Sequence, residues 1–351
     1  MYLSKELIKW YNLYHRELPW RQTSDPYIIW LSEIILQQTR VEQGLPYFNK
    51  FLDNYPTISH LAVAPQEEVM KLWQGLGYYS RARNLHETAR TVHNKYDGNF
   101  PSDYLQIRQL KGIGDYTAAA VASFAFNAPY AVVDGNVYRV LSRFFGDKTP
   151  IDSTSGKKIF ASLAQEILDK KSPALHNQAI MEFGAMLCRP ALPDCKNCPV
   201  RTGCFAFNNN QVTSLPVKGN KTRVTNRYFN YLLVRYNKTI YLNKRKAGDI
   251  WEALYELPLI ETLSAADASE LMRTERWNSL FSEKQFFLKS VKKYPVHKLS
   301  HQHIYARLIE LELTGNPDEL FVNSFIKISE ADAGNYPVPR LIEKIFADHL
   351  L

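Results

Sequence analysis

The sequence predicts a protein of two domains, all-α over residues 1–205 and α+β over 228–351, joined by a polar linker at 206–227. Three observations carry that prediction. Apolar residues before 205 recur at helical spacing, and no period-2 stretch of useful length interrupts them. After 205 the texture turns polar, in NNNQVTSLPVKGNKTRVTNR, before strand-like stretches begin. Between the two textures, within residues 188–204, lie all four cysteines: Cys188, Cys195, Cys198 and Cys204.

Taken in order, Asp25-Pro26 opens a helix, because proline suits the first helical position, and IIWLSEIILQQTRVEQ continues it to residue 43. Helical patterns follow at 46–54, 66–73, 80–96, 102–109, 115–126, 136–145, 155–169 and 174–188, most of them separated by Gly, Pro, Asn or Asp. Beyond the linker, YFNYLLVRY and TIYLNKR flank Asn237-Lys238 as a hairpin. VKKYPVHKLS and IYARLIELELTG supply further strands. Helices are expected near 265–275 and in the C-terminal RLIEKIFADHL. There is no internal repeat and no low-complexity tract.

Composition narrows the function classes. With 45% hydrophobic and 22% charged residues, the 351-residue chain can bury an ordinary core. The N-terminus lacks a signal-peptide pattern, and no run approaches the ~18 apolar residues of a membrane span, so a cytoplasmic protein with no membrane partner is expected. A net charge of +8 favours a polyanion. From Lys218 to Gly248 there are nine Lys/Arg and no acid, including Lys221 and Arg223, which suits a solvated linker as well as phosphate contacts.

In a reducing compartment, four clustered thiols point to a metal and away from disulfides. Their spacing differs from a zinc ribbon, whose C-x-x-C pairs lie ~15–20 residues apart, and from the ferredoxin run. Four thiolates make a closed site for zinc or for an iron–sulfur cube, and the residues alone leave both open.

Four further stretches carry chemistry. LKGIGDYTAAAVASFAF places Gly112 and Gly114 before a helix, a helix–hairpin–helix whose free N–H groups suit a phosphate. Asp134, in VDGNVYRV, either caps the next helix or acts as a positioned carboxylate, and the two are compatible. Glu33 has Ile29, Trp30, Leu36 and Gln37 at helical spacing and no basic partner among them, so a buried carboxyl with a raised pKa competes with an exposed one. QGLGYYSRARN sets glycines beside Tyr78 and Tyr79, as a core turn or as a wedge into DNA.

These segments together resemble the endonuclease III and MutY family of DNA glycosylases. C-x6-C-x2-C-x5-C is similar to that family's 4Fe–4S loop, SEIILQQTRV to its catalytic helix, and QGLGYYSR to its wedge segment. The resemblance implies one 4Fe–4S cluster on Cys188, Cys195, Cys198 and Cys204, with Arg189, Lys196 and Arg201 available to phosphates. It implies Glu33 as general acid, Asp134 as the carboxylate that stabilises the cationic sugar, and Tyr116 where strand-cleaving relatives carry a Schiff-base lysine. Gln38 and Tyr78 would fill the vacated stack, and Trp20, Arg21 and Glu182 would line the base pocket. The C-terminal half resembles a Nudix-like domain without the acidic magnesium helix, and Ser300 and His301 in LSHQHIYARLIEL would read 8-oxoguanine. His297, His301 and His303 have no Cys or carboxylate cluster beside them, so no histidine metal site is expected. The implied activity is monofunctional removal of adenine mispaired with 8-oxoguanine or guanine, by a monomer on double-stranded DNA. The alternatives are a bifunctional glycosylase/lyase for oxidised pyrimidines and a non-catalytic, zinc-stabilised DNA-binding protein.

Overall fold

The computed structural model describes residues 2–219, 224–281, 286–315 and 319–350. The chain forms two compact units: Met1–Val63 with Asn84–Asn220, and Ala64–Arg83 with Lys221–Leu351.

The first unit is helical. It contains α1 (Tyr2–Tyr14), α2 (Pro26–Leu36), α3 (Val41–Asn54) and α4 (Ile58–Val63). The chain then makes an excursion into the second unit, where α5 (Gln66–Leu72) lies, and α6 (Ser80–Lys95) carries it back. Next come α7 (Tyr104–Arg108), α8 (Asp115–Phe126), α9 (Gly135–Phe145), α10 (Thr154–Ile167), α11 (Pro173–Met186) and the short α12 (Phe205–Asn208). Asp25 caps α2 by accepting from the Tyr27 N–H, with Pro26 at the first position. The helix expected to run through residue 43 stops at Leu36 and resumes at Val41. Gln38 holds a left-handed φ of 54° there, which no continuous helix accommodates. Helices α1 and α4 were not anticipated. The core of this unit packs Leu3, Leu7 and Trp10 of α1 on Val140 and Leu141 of α9, Phe160 of α10 and Phe183 of α11.

The second unit is built on a mixed sheet of β1 (Thr225–Tyr236), β2 (Thr239–Lys244), β3 (Tyr255–Glu256), β4 (Leu259–Thr262), β5 (Phe286–Lys293), β6 (His297–Lys298), β7 (Gln302–Leu313) and β8 (Ile326–Ser329). Its main order is β3-β2-β1-β7-β5, with β1 and β7 parallel and paired from Thr225↔Gln302 to Arg235↔Glu312. The hairpin expected at Asn237-Lys238 forms, and both residues take positive φ, 49° and 59°, as a two-residue primed turn needs. Against the sheet lie α13 (Ala268–Met272), α14 (Glu275–Phe281) and α15 (Glu319–Ser324), with Trp277, Leu280 and Phe281 in the core beside Leu232, Val234 and Ile309. The last helix is α16 (Arg340–His349). Short strands such as β3 and β8 escape sequence reading because their pairing partners, and not their own periodicity, define them.

The excursion at 64–83 joins the second unit through backbone contacts. Lys71 Nζ donates to the Tyr336 carbonyl at 3.1 Å and also to the Gly334 carbonyl, and Gln74 accepts from the Val338 N–H at 3.1 Å.

Candidate active site

Three side chains from three helices of the first unit meet in one cavity of about 470 Å³. Glu33 lies on α2, whose apolar neighbours leave it 8% exposed. Tyr116 sits in the first turn of α8, and its hydroxyl donates to Glu33 Oε2 at 2.7 Å. Asp134 precedes α9 and caps it. Its Oδ1 accepts from the Asn136 and Val137 N–H groups at 2.9 and 2.8 Å, and its Oδ2 from Asn136 Nδ2 at 2.6 Å. The capping and positioned-carboxylate readings of Asp134 therefore describe the same geometry.

Burial sets the protonation chemistry. It pushes Glu33 up to about 7, the nearby Asp134 charge adds to the rise, and the Tyr116 hydrogen bond and Arg21 charge oppose it. Burial also raises Asp134, against which the Val137 and Asn136 hydrogen bonds act. The Tyr116 phenol is raised well above its usual value by burial and by Glu33. One carboxyl is thus poised to hold a proton near neutrality, beside a second whose three hydrogen bonds stabilise its charge.

Trp20, Arg21 and Glu182 line the same cavity. Glu182 is fully enclosed. Arg16 grips it with Nε and a terminal nitrogen at 2.8 and 2.7 Å, and Arg21 adds a bond at 2.8 Å. Burial would raise Glu182, but these arginines outweigh it and hold the acid at about 2. Sequence reasoning missed Arg16 and Asn136. Arg16 gives no signal beyond lying four residues before Trp20; Asn136, as the second residue of a capped helix, was open to reading as an extra donor to Asp134. Arg139 was also missed. It donates to the Asn136 side chain at 2.8 Å and to the Cys188 carbonyl at 2.7 Å.

Gly112 and Gly114 form the turn before α8. Gly112 has φ +73°, and a Cβ there would lie 2.6 Å from Asn84, so only glycine fits. Gly114 faces open space, leaving the start of α8 approachable. Gln38 is exposed and lines neither this cavity nor the next. Tyr78, Ser300 and His301 line a separate cavity of about 450 Å³ in the second unit.

The four cysteines line one small cavity with Arg143, and no other metal-ligating side chain lines it. Burial raises Cys195 and Cys204 and pushes Cys198 up to about 12. Arg143 faces Cys188 Sγ at 3.5 Å. Among the described residues no three His, Cys, Asp or Glu side chains are placed to hold a single metal ion. Four thiols around one enclosed space, with a guanidinium toward a sulfur, fit an anionic iron–sulfur group on the chemistry of the donor set.

Four of the nine basic residues of the 218–248 run are ion-paired. Arg227 pairs with Asp249 and Glu261, Arg235 with Glu310 and Glu330, Lys244 with Glu67, and Arg245 with Asp249 and Glu256. Those four are held in ion pairs, while Lys221 and Arg223 lie outside the described residues. Among the described residues no helix is long and apolar enough to cross a membrane.

Residues 31–167 match the HhH-GPD superfamily of base excision DNA repair proteins, and 230–348 match the NUDIX domain. The chain is 34% identical to an adenine DNA glycosylase of Buchnera aphidicola subsp. Baizongia pistaciae, covering 86% of this chain and 84% of that protein. It is 42% identical to the Homo sapiens adenine DNA glycosylase over 57% of this chain and 38% of that protein. The structure of a thermostable thymine-DNA glycosylase is similar at 31% identity and a TM-score of 0.55, over 59% of this chain and 96% of that one. A trapped endonuclease III–DNA covalent intermediate shares the fold at 24% identity and a TM-score of 0.52, over 60% and 95%.

Proposed function

Because the chain belongs to the adenine DNA glycosylase family, we propose that it excises adenine from double-stranded DNA where adenine is mispaired with 8-oxoguanine or guanine. The observation that carries this reading is the enclosed trio Glu33, Tyr116 and Asp134, in which a carboxyl with a pKa of about 7 stands beside a hydrogen-bonded carboxylate.

Breaking an N-glycosidic bond leaves an electron-rich base and a cationic sugar. Glu33 supplies the proton to the departing adenine, and Asp134 stabilises the oxocarbenium-like sugar until water adds to it. Tyr116 donates to Glu33 Oε2, fixing the carboxyl so that its other oxygen faces the base. Trp20 offers an aromatic wall, and the Arg16–Glu182–Arg21 cluster offers fixed donors and acceptors for the edge of the purine. No lysine lines the cavity among the described residues, so a Schiff base with the sugar has no amine, which favours a monofunctional enzyme.

Cys188, Cys195, Cys198 and Cys204 would hold a 4Fe–4S cluster, which when bound ties the 188–204 loop to α9 and α11. Four sulfurs line one cavity with no other metal-ligating side chain, and with their family-like spacing this supports the 4Fe–4S cluster. Ser300, His301 and Tyr78 would face the 8-oxoguanine opposite the adenine.

Glu33→Gln tests the reading. It should bind an adenine·8-oxoguanine duplex as wild type does and lose at least a hundredfold in single-turnover base release. Excision within tenfold of wild type would remove Glu33 from the role of acid.

A further inference from the structure

The cavity shared by Tyr78, Ser300 and His301 has a fourth wall, the turn at residues 249–251, which no sequence motif singled out for that purpose. Trp251 of this turn and Ala253 just after it take left-handed φ of 62° and 66°. Side chains of that size avoid this region unless their surroundings impose it. Here the surroundings are three arginines. Arg227 donates to both oxygens of Asp249, at 2.6 and 2.8 Å, and Arg245 donates to the same carboxylate. Arg245 also donates from Nε to the Ile250 carbonyl at 2.8 Å. On the far side of Trp251, Arg83 donates to the Glu252 carbonyl at 2.9 Å and to its carboxylate at 3.2 Å. The backbone is therefore gripped on both sides of one indole.

The indole transmits that grip. Trp251 is 8% exposed, and its ring meets His297 edge-on with centroids 5.7 Å apart. His297 begins β6, the short strand that leads into Leu299, Ser300 and His301. Moving the turn would shift the support beneath the residues on the opposite wall. Asp249 itself stays ionised, since the Arg227 hydrogen bonds hold it at about 2, and its charge is already matched by two guanidiniums. A carboxylate saturated by two guanidiniums has little left to offer a ligand and much to lose in geometry.

We propose that Asp249 is a positioning residue for base reading: by tying Arg227 and Arg245 to the 249–252 turn, it fixes Trp251 and so the shape of the cavity that distinguishes 8-oxoguanine from guanine. This rests on the reading of that cavity as the lesion reader.

The test compares full-length, cluster-bearing Asp249→Asn and wild type for affinity and single-turnover rate on adenine·8-oxoguanine and adenine·guanine duplexes. Asparagine keeps the size of the side chain but replaces one acceptor by a donor facing a guanidinium. The preference for the 8-oxoguanine duplex should fall three- to tenfold, and Asp249→Glu, which keeps the charge, should recover part of it. A preference that stays unchanged, or an equal loss on both duplexes, overturns the proposal. Should Asp249→Asn be insoluble, Glu252→Gln loosens the Arg83 side of the grip and is read by the same ratio, with the same two overturning results. The Ser300→Ala, His301→Ala double variant separates the levels. If it also leaves the ratio unchanged, the lesion-reader assignment fails; if it alone changes the ratio, only the role of Asp249 fails.

Discussion

Glu33 combines two demands that pull in opposite directions. Enclosure keeps its proton on near neutral pH, and the same enclosure makes its charged form costly. The sign of the pH dependence follows. Its folded pKa, about 7, lies above the ordinary glutamate value of 4.5, so its favourable contribution to stability is complete below about 4.5 and is lost as pH rises through about 7. Glu33→Gln should therefore match wild type in urea denaturation at pH 4.5 and exceed it at pH 8 by up to roughly 3 kcal/mol. Equal stabilities at pH 8 would show that the charged form is not penalised. Excision should fall in parallel as pH rises above about 7, measured as single-turnover rate. Asp134 makes the complementary case. Asparagine caps helices as well as aspartate does, so Asp134→Asn should fold normally and lose activity. Asp134→Ala should lose activity and about 1 kcal/mol of stability as well. A destabilised Asp134→Asn would mean that the charge holds α9, and not the cap.

At the scale of elements, what the sequence displayed and what it hid divide along physical lines. The caps at Asp25 and Asp134, the glycines before α8 and the Asn237-Lys238 turn were legible because each is a local rule, satisfied within a few residues. The break at Gln38 was hidden, since glutamine is itself a good helix former and neither Gly nor Pro marks the left-handed φ it takes. Arg16 on Glu182 was hidden for a different reason: the two lie 166 residues apart, and no spacing rule connects them. Arg227, Arg235 and Lys244 looked free for the same reason, their partners Glu261, Glu330 and Glu67 being distant in sequence, whereas Arg245 pairs with Asp249 only four residues on. The cysteine loop was legible by spacing alone, and it makes the element-scale prediction. The segment has little apolar core of its own, so iron chelation or Cys198→Ser should release it to protease near 188–204 while α8 and α9 stay protected. Unchanged cleavage after loss of iron absorbance would show that the loop holds itself.

At the scale of the whole molecule, the feature that matters is the excursion at 64–83. These residues belong to the second unit, through Lys71 and Gln74, although they interrupt the first. Truncation after residue 220 should thus do more than remove a reader domain: it should strand α5 without partners. Limited proteolysis of the truncated protein should cut within 64–83, and the full chain should resist there. Resistance in both would mean that the first unit can hold this segment unaided. The same feature imposes an order on biosynthesis. A ribosome extends the chain at about 5–20 residues per second, so Lys71 and Gln74 leave the exit tunnel more than about ten seconds before residues 334–338, which receive them. Throughout that delay the stretch VMKLW, whose Val69, Met70 and Trp73 are buried in the finished protein, has no mate. A nascent chain stalled near residue 200 would offer chaperones a binding site that the released protein does not have.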